Sequence, residues 1–169
     1  MKAFETDKTE GFAMRMKRFV FNIAPVYRRT GGRVCFASND FREMHVTIRL
    51  RWATRNYVGT VFGGSIYGSI DPIYMLQFIG ILGKDYIVWD KAATIQFLKP
   101  IKGRVFARFL ITDEILEHVH KEISSKGKVV LDLPVEYVDK KGLTYFEAKK
   151  TLYIASKSYY KDRLAKKEA

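Results

Sequence analysis

Asn56-Tyr57-Val58-Gly59-Thr60-Val61-Phe62-Gly63-Gly64-Ser65-Ile66-Tyr67-Gly68-Ser69-Ile70-Asp71-Pro72, continued through Tyr74-Met75-Leu76-Gln77-Phe78-Ile79 to Leu82, is the stretch on which the fold turns. From Phe62 to Leu82 it is apolar or small on almost every side, with Asp71 as its one charge. A helix of this composition is buried rather than amphipathic. A carboxylate inside it therefore needs a reason. Gly63-Gly64 at its head permits close approach, and the free N–H groups of a helix start can polarise a carbonyl oxygen or hold an anion.

The sequences on either side predict strands. Val34 and Phe36 follow the Gly31-Gly32 turn, and Met44, Val46, Ile48 and Leu50 alternate with Glu43, His45, Thr47 and Arg49. His45 is thereby expected on the polar, exposed face. Beyond Gly83-Lys84-Asp85, Ile87, Trp89, Ala93, Ile95 and Phe97 mark a long strand, and Val105, Ala107, Phe109 and Ile111 another, expected to pair with it through the Pro100–Gly103 turn. Ile115, Val119 and Ile123 recur at helical spacing. His118 and His120, two apart, do not share a face of that helix, which argues against a common metal. Val129 to Tyr137 and Phe146 to Ile154 complete the strands around an Asp139–Gly142 hairpin turn, with Pro134 implying an edge or bulge. The order predicts an α+β fold in which a six-stranded antiparallel sheet wraps one long helix.

At 169 residues and 47% hydrophobic, the chain suits a single domain, with a core over about residues 12–156 and loose or peripheral ends at 1–10 and 157–169. Near the N-terminus, Phe12, Met16, Phe19 and Ile23 share a helical face while Arg15, Lys17 and Arg18 point elsewhere. The preferred reading packs that apolar face on the domain, with a solvated basic side, over membrane attachment. Thirty Lys and Arg against eighteen Asp and Glu give a net charge of +12, which attracts anionic partners such as nucleic acid, membrane or a polyphosphate. A nucleic-acid role rests on charge alone and is set aside. The single Cys35 excludes an internal disulfide and fits a reducing cytoplasm. No leader is read at the N-terminus, and the carboxylate beside a proline argues against a membrane span through residues 57–82.

Asn56, Phe62-Gly63-Gly64, Asp71 and Ile95-Gln96-Phe97-Leu98-Lys99-Pro100 resemble the signature of the hot-dog-fold acyl-CoA thioesterases of the phenylacetate-degradation (PaaI-like) type. That signature is an Asn, then His-Gly-Gly at a helix start, an acid along the helix, and a strand ending in an aromatic-Leu-Arg-Pro phrase. The wider phrasing, Thr30-Gly31-Gly32-Arg33, Arg55 to Thr60, Asp71-Pro72 and Trp89 to Ala93, looks more like a branch of that superfamily of unknown function, over about residues 15–155. Phe62 stands where the motif has His, so the likeness supports the fold more than catalysis.

The resemblance implies the hot-dog fold and thioester hydrolysis, with Gly63 contacting the oxyanion, Asp71 as nucleophile or base, and Asn56 orienting water or substrate. Phe62 and Gly64 would line the substrate, and Lys99, Lys102 and Arg104 would meet the phosphates of coenzyme A, which enters as part of the substrate; no separate cofactor and no metal is implied. The alternative is a non-catalytic module binding acyl-CoA or another lipid-like ligand. For Asp71 the alternative is an N-cap on a second helical segment starting at Pro72, where the helix should kink. Gly63 and Asp71 lie eight residues apart, roughly 12 Å along a helix, too far for one thioester to touch both in one chain. Joint action requires two antiparallel copies across a two-fold axis, hence a homodimer or a dimer of dimers.

Overall fold

Period-2 runs and one apolar helix resolve into a single curved sheet with that helix against its inner face. A computed structural model of the chain describes residues 4–168. The elements are α1 (Phe12–Ile23), α2 (Pro25–Thr30), β1 (Arg33–Ala37), β2 (Glu43–Arg49), α3 (Gly63–Ile70), α4 (Ile73–Leu82), β3 (Tyr86–Phe97), β4 (Arg104–Leu110), α5 (Asp113–Lys126), β5 (Lys128–Val138), β6 (Thr144–Ser156) and α6 (Lys157–Glu168). The strands form one six-stranded antiparallel sheet in the order β1-β2-β4-β5-β6-β3.

The expected β3–β4 hairpin does not form. β3 pairs with β6 along its whole length, from Tyr86 opposite Ser156 to Phe97 opposite Phe146, while β4 pairs with β2 and β5. Residues 98–103 serve as a crossover whose backbone is taken up by the loop before α3: Val61 N–H donates to Ile101 O at 2.9 Å and Leu50 N–H to Gly103 O at 3.1 Å. A short sequence link gave no competing pairing energy once an eleven-residue β6 ladder was available to β3. Pro134 is tolerated because β4 registers with β5 near its far end, at Phe106–Val138, and the Pro134 carbonyl accepts the Tyr74 hydroxyl at 2.8 Å instead. At the β5–β6 hairpin, Asp139 accepts the N–H groups of Lys141 and Leu143 as predicted for a turn residue.

The central helix is interrupted at Asp71-Pro72 into α3 and α4, where Pro72 has no N–H to donate to the preceding turn. Its inner face buries Ile66, Ile70, Ile73, Tyr74 and Phe78 against the sheet, each apolar side chain contributing roughly 1.5–3 kcal/mol. Its other face is not covered. Phe62 and Ile79 are exposed, and Tyr67, Met75, Leu76 and Leu82 half-buried, so the helix lacks a polar side without being enclosed all round.

The two sheet edges differ. On β1, the Asn22 side chain imitates a neighbouring strand, donating to Val34 O at 2.9 Å and accepting Val34 N–H at 2.8 Å. The β3 edge has no such cover: from Lys91 to Phe97 every residue is exposed, and no strand among the described residues pairs with its outer side.

At the N-terminus the described end is peripheral rather than loose, and the expected packing of α1 is overturned. Residues 4–11 are not loose; they lie over β1 and β2, with Lys8 on Asp40 at 2.7 Å, Glu10 on Arg18 at 2.6 Å, and Asn39 N–H donating to Thr9 O. On α1 the packed face is the opposite one: Met14 is buried and Phe21 partly so, while Phe12, Met16, Phe19, Val20 and Ile23 face solvent. The helix carries two apolar stripes, and periodicity alone could not rank them. The tail is helical as α6, with Trp89 packed edge-on against Tyr160.

Candidate functional site

The first N–H groups of α3 project from a helix start whose N-cap, Phe62, gives no side-chain cap. Beside them is a cavity of about 300 Å³ lined by Asn56, Gly63, Ile66, Phe97 and Lys99, so three of the residues singled out in the sequence come together there. Gly63 packs closely on Phe97: a Cβ on it would stand 3.1 Å from the ring, a tight contact that the exposed ring would have to yield to by a few tenths of an ångström. Gly64 is packed under Phe62, whose ring would stand 2.5 Å from an added Cβ. Asn56 is committed to its own loop, its Nδ2 donating to Thr60 Oγ1 and its Oδ1 accepting Thr60 N–H, both at 2.9 Å. Lys102 is exposed outside this cavity, and Arg104 lines a different one, among arginines near α1.

Asp71 lies at the other end of α3, at the break. It is not the cap of α4, whose N-cap is Pro72 with no side-chain hydrogen bond. Its carboxylate instead meets Lys150 Nζ at 2.5 Å, and the same ammonium reaches Asp90 Oδ1 at 3.0 Å and the Tyr67 hydroxyl at 3.2 Å. Lys150 is fully buried although it is a lysine, and it lies over the Tyr67 ring. Burial works against its charge, but the contacts to Asp71, Asp90 and Tyr67 outweigh burial and push its pKa up. Burial raises the Asp90 carboxyl, Asp71 adds to this, and Lys150 offsets part of it. Burial likewise raises the Tyr67 hydroxyl. Asp90 sits in β3 and Lys150 opposite Ala93 of β3, so the cluster borders the open edge strand, as the Gly63 cavity does at Phe97.

Lys150, Asp90 and Tyr67 were not singled out from the sequence. A signal existed: in β6 the inward run Phe146, Ala148, Leu152, Ile154 has a lysine at the position between Ala148 and Leu152, where an apolar residue belongs. His45 is the other correction. It does lie on the outer sheet face, yet it is fully buried, with Phe4 edge-on to its ring, Phe36 tilted against it and Nε2 2.7 Å from Glu43. Glu43 also accepts Thr6 Oγ1 at 2.7 Å and Arg108 Nε at 2.8 Å. Burial raises its carboxyl, but those hydrogen bonds prevail and hold it below its ordinary value. His118 and His120 are exposed on α5. A wider cavity of about 1010 Å³ opens on the outer face among Thr94, Arg108, Asp132, Glu147 and Lys149. Its lining carries mixed charges and includes neither Gly63 nor Asp71.

The profile of the family described as domain of unknown function DUF4442 matches residues 13–154. The chain belongs to the DUF4442 family. No curated protein matches it. Among solved structures it is similar to PA5026 of Pseudomonas aeruginosa, a protein of unknown function described as a probable thioesterase, with TM-score 0.73 and 15% identity over 84% of this chain and 95% of that one. It is similar also to OLEI01261 of Chlorobaculum tepidum, of unknown function, with TM-score 0.66 and 16% identity over 84% and 93%. A third is the thioesterase HI1161 of Haemophilus influenzae, with TM-score 0.61 and 14% identity over 87% and 93%. At these identities the likeness establishes the fold: this DUF4442 chain has the hot-dog fold. No helix among its described residues is long and apolar enough to cross a membrane.

Proposed function

We propose that this DUF4442 protein is an acyl-CoA thioesterase acting as a homodimer, or a dimer of dimers, in a reducing cytoplasm where the Cys35 thiol stays free. The observation that carries this is the position of the two ends of α3 along one open strand. Gly63 stands beside Phe97, and Asp71, through Lys150, beside Asp90 and Ala93. If β3 pairs antiparallel with a second copy about Ala93-Thr94, the Phe97 end of one strand meets the Asp90 end of the other. Gly63 of one protomer then faces the partner's Asp71, which removes the 12 Å objection raised by a single chain.

In that site Asp71 takes a proton from water, and the hydroxide attacks the thioester carbon. The oxygen that gains charge faces the N–H of Gly63, where the helix start stabilises it. The C–S bond then breaks, and the thiolate of coenzyme A takes the proton held by Asp71 and leaves as the free thiol, which restores the carboxylate. Lys150 fixes the Asp71 carboxylate in place, and Lys99, on the rim of the Gly63 cavity, is suited to a coenzyme phosphate. Lys102 is a further phosphate contact; Arg104, in a different cavity, is a weaker candidate than the sequence implied.

A second reading is favoured by one residue. Phe62 replaces a histidine and covers Gly64 with an apolar ring, as a non-catalytic acyl-CoA or lipid-like ligand binder would tolerate. Hydrolysis assays across short, medium, long and aromatic acyl-CoAs separate the two. Turnover of one class supports the enzyme, whereas tight binding without hydrolysis of any leaves the binder.

A further inference from the structure

Helix α1 leaves its stronger apolar stripe in water. At 100° per residue, Phe12, Met16, Phe19, Val20 and Ile23 fall within a sector of about 100°, opposite the Met14 and Phe21 side that packs on β1. Phe12 is 80% exposed and Val20 59%, and Val26 of α2 extends the ridge at 83%. Isolated exposed apolar residues need no explanation, but five on one helix face do.

The flank of this ridge is strongly basic. A cavity of about 610 Å³ is walled on one side by Met16, Phe19 and Ile23 and on the other by arginines. Among the described residues, Arg28, Arg33, Arg49, Arg51 and Arg104 have no acidic partner at ion-pair distance. They come from α2, β1, β2, the loop after it and β4, so the fold gathers onto one rim charges that are far apart in sequence. Burial and then its neighbours Arg49, Arg104 and Arg33 push the Arg51 guanidinium below its ordinary value, as expected of a crowded, unneutralised cluster.

We propose that the α1 ridge and the arginine cluster beside it form a docking surface for an anionic phospholipid bilayer. The arginines meet headgroup phosphates while Phe12, Phe19, Val20 and Ile23 enter the boundary of the acyl layer. Charge complementarity selects this occupant. A second copy docking on the same face would oppose one arginine cluster with another, at a repulsive cost. A nucleic acid would satisfy the arginines and leave the apolar ridge in water. A bilayer with anionic lipids satisfies both. The surface lies at the β1 end of the sheet, far from the β3 edge, so it stays free in a dimer formed through β3. A surface-docked hydrolase or binder of acyl chains would collect ligands that themselves partition into membranes.

The test is co-sedimentation of the protein with vesicles of phosphatidylcholine, with and without phosphatidylglycerol. Binding is expected to the anionic vesicles alone and to fall steeply with salt. Phe19→Ser with Val20→Ser, both exposed and without a packing role, should weaken it about tenfold for each side chain. Arg49→Glu with Arg51→Glu should weaken it at least about fivefold for each basic residue lost. Circular dichroism confirms that each variant is folded. Three results would overturn the proposal: no sedimentation with anionic vesicles; binding unchanged in Phe19→Ser/Val20→Ser, with the arginine variants instead losing duplex DNA; or a smaller assembly in the ridge variants by ultracentrifugation, which would make the face a contact between copies.

Discussion

Lys150 occupies an inward position of β6 and keeps its charge there because Asp71 and Asp90 close on it from two sides. Asp71→Asn removes one of these carboxylates while Asp90 remains, and Asp71 is itself 42% exposed, so the stability cost should be about 1 kcal/mol, a fall of about 2–4 °C in melting temperature. This reverses the sign expected of an unpaired buried carboxylate, whose removal would stabilise. Lys150→Met should cost more, about 3 kcal/mol, since it leaves two acids facing each other without a cation. In a double-mutant cycle by urea denaturation the two changes should be clearly non-additive; additivity would mean that the pair does not couple. For activity, Asp71→Asn should lower turnover at least about a hundredfold with acyl-CoA affinity held within a few fold. Full activity in that variant would end the catalytic assignment.

Among the elements, β3 and the N-terminal segment carry the sharper tests. Thr94 is exposed at the centre of the open edge strand, so Thr94→Lys should leave the protomer folded. It would place like charges together across a two-fold pairing of β3 and should yield a monomer without hydrolytic activity. An active monomeric variant would show that one chain suffices. The segment before α1 is held through Asp40 and Glu43, whose pKa values are both depressed. For Asp40, burial pushes the value up, but Lys8, Ser38 and Arg42 bring it down to about 2. A carboxyl depressed on folding adds stability above its unfolded value, near 4, and loses it as the pH falls through the folded value. Residues 4–11 should accordingly lose protection in hydrogen exchange between about pH 4 and pH 2. Protection that persists unchanged to pH 2 would rule out this anchoring. Thr6→Ala, which deletes a hydrogen bond to the buried Glu43 carboxylate, should cost about 1.5 kcal/mol and move the same release to higher pH.

For the molecule as an assembly, sedimentation at micromolar concentration should give a dimer or tetramer, and a monomer would count heavily against a site built from two chains. Much of this architecture was legible in the chain, because burial on one face of a sheet imposes a period of two and a helix without a polar face announces that it must be packed. Those regularities are local, so six strands, the central helix, its break at Asp71-Pro72 and the Gly63–Asp71 separation could all be read in order. Partner choice is not local. Which strand β3 pairs with, which of two apolar stripes on α1 turns inward, and whether an outer-face histidine is covered depend on where distant segments arrive, and the pattern of β3, α1 or β2 is the same in either outcome. The same holds for charge. A lysine in β6, an aspartate in β3 and an aspartate at a helix break become one ion cluster around a buried ammonium, and five arginines from five segments become one surface, because Coulomb attraction and repulsion act across space on groups that the backbone has already brought within a few ångströms.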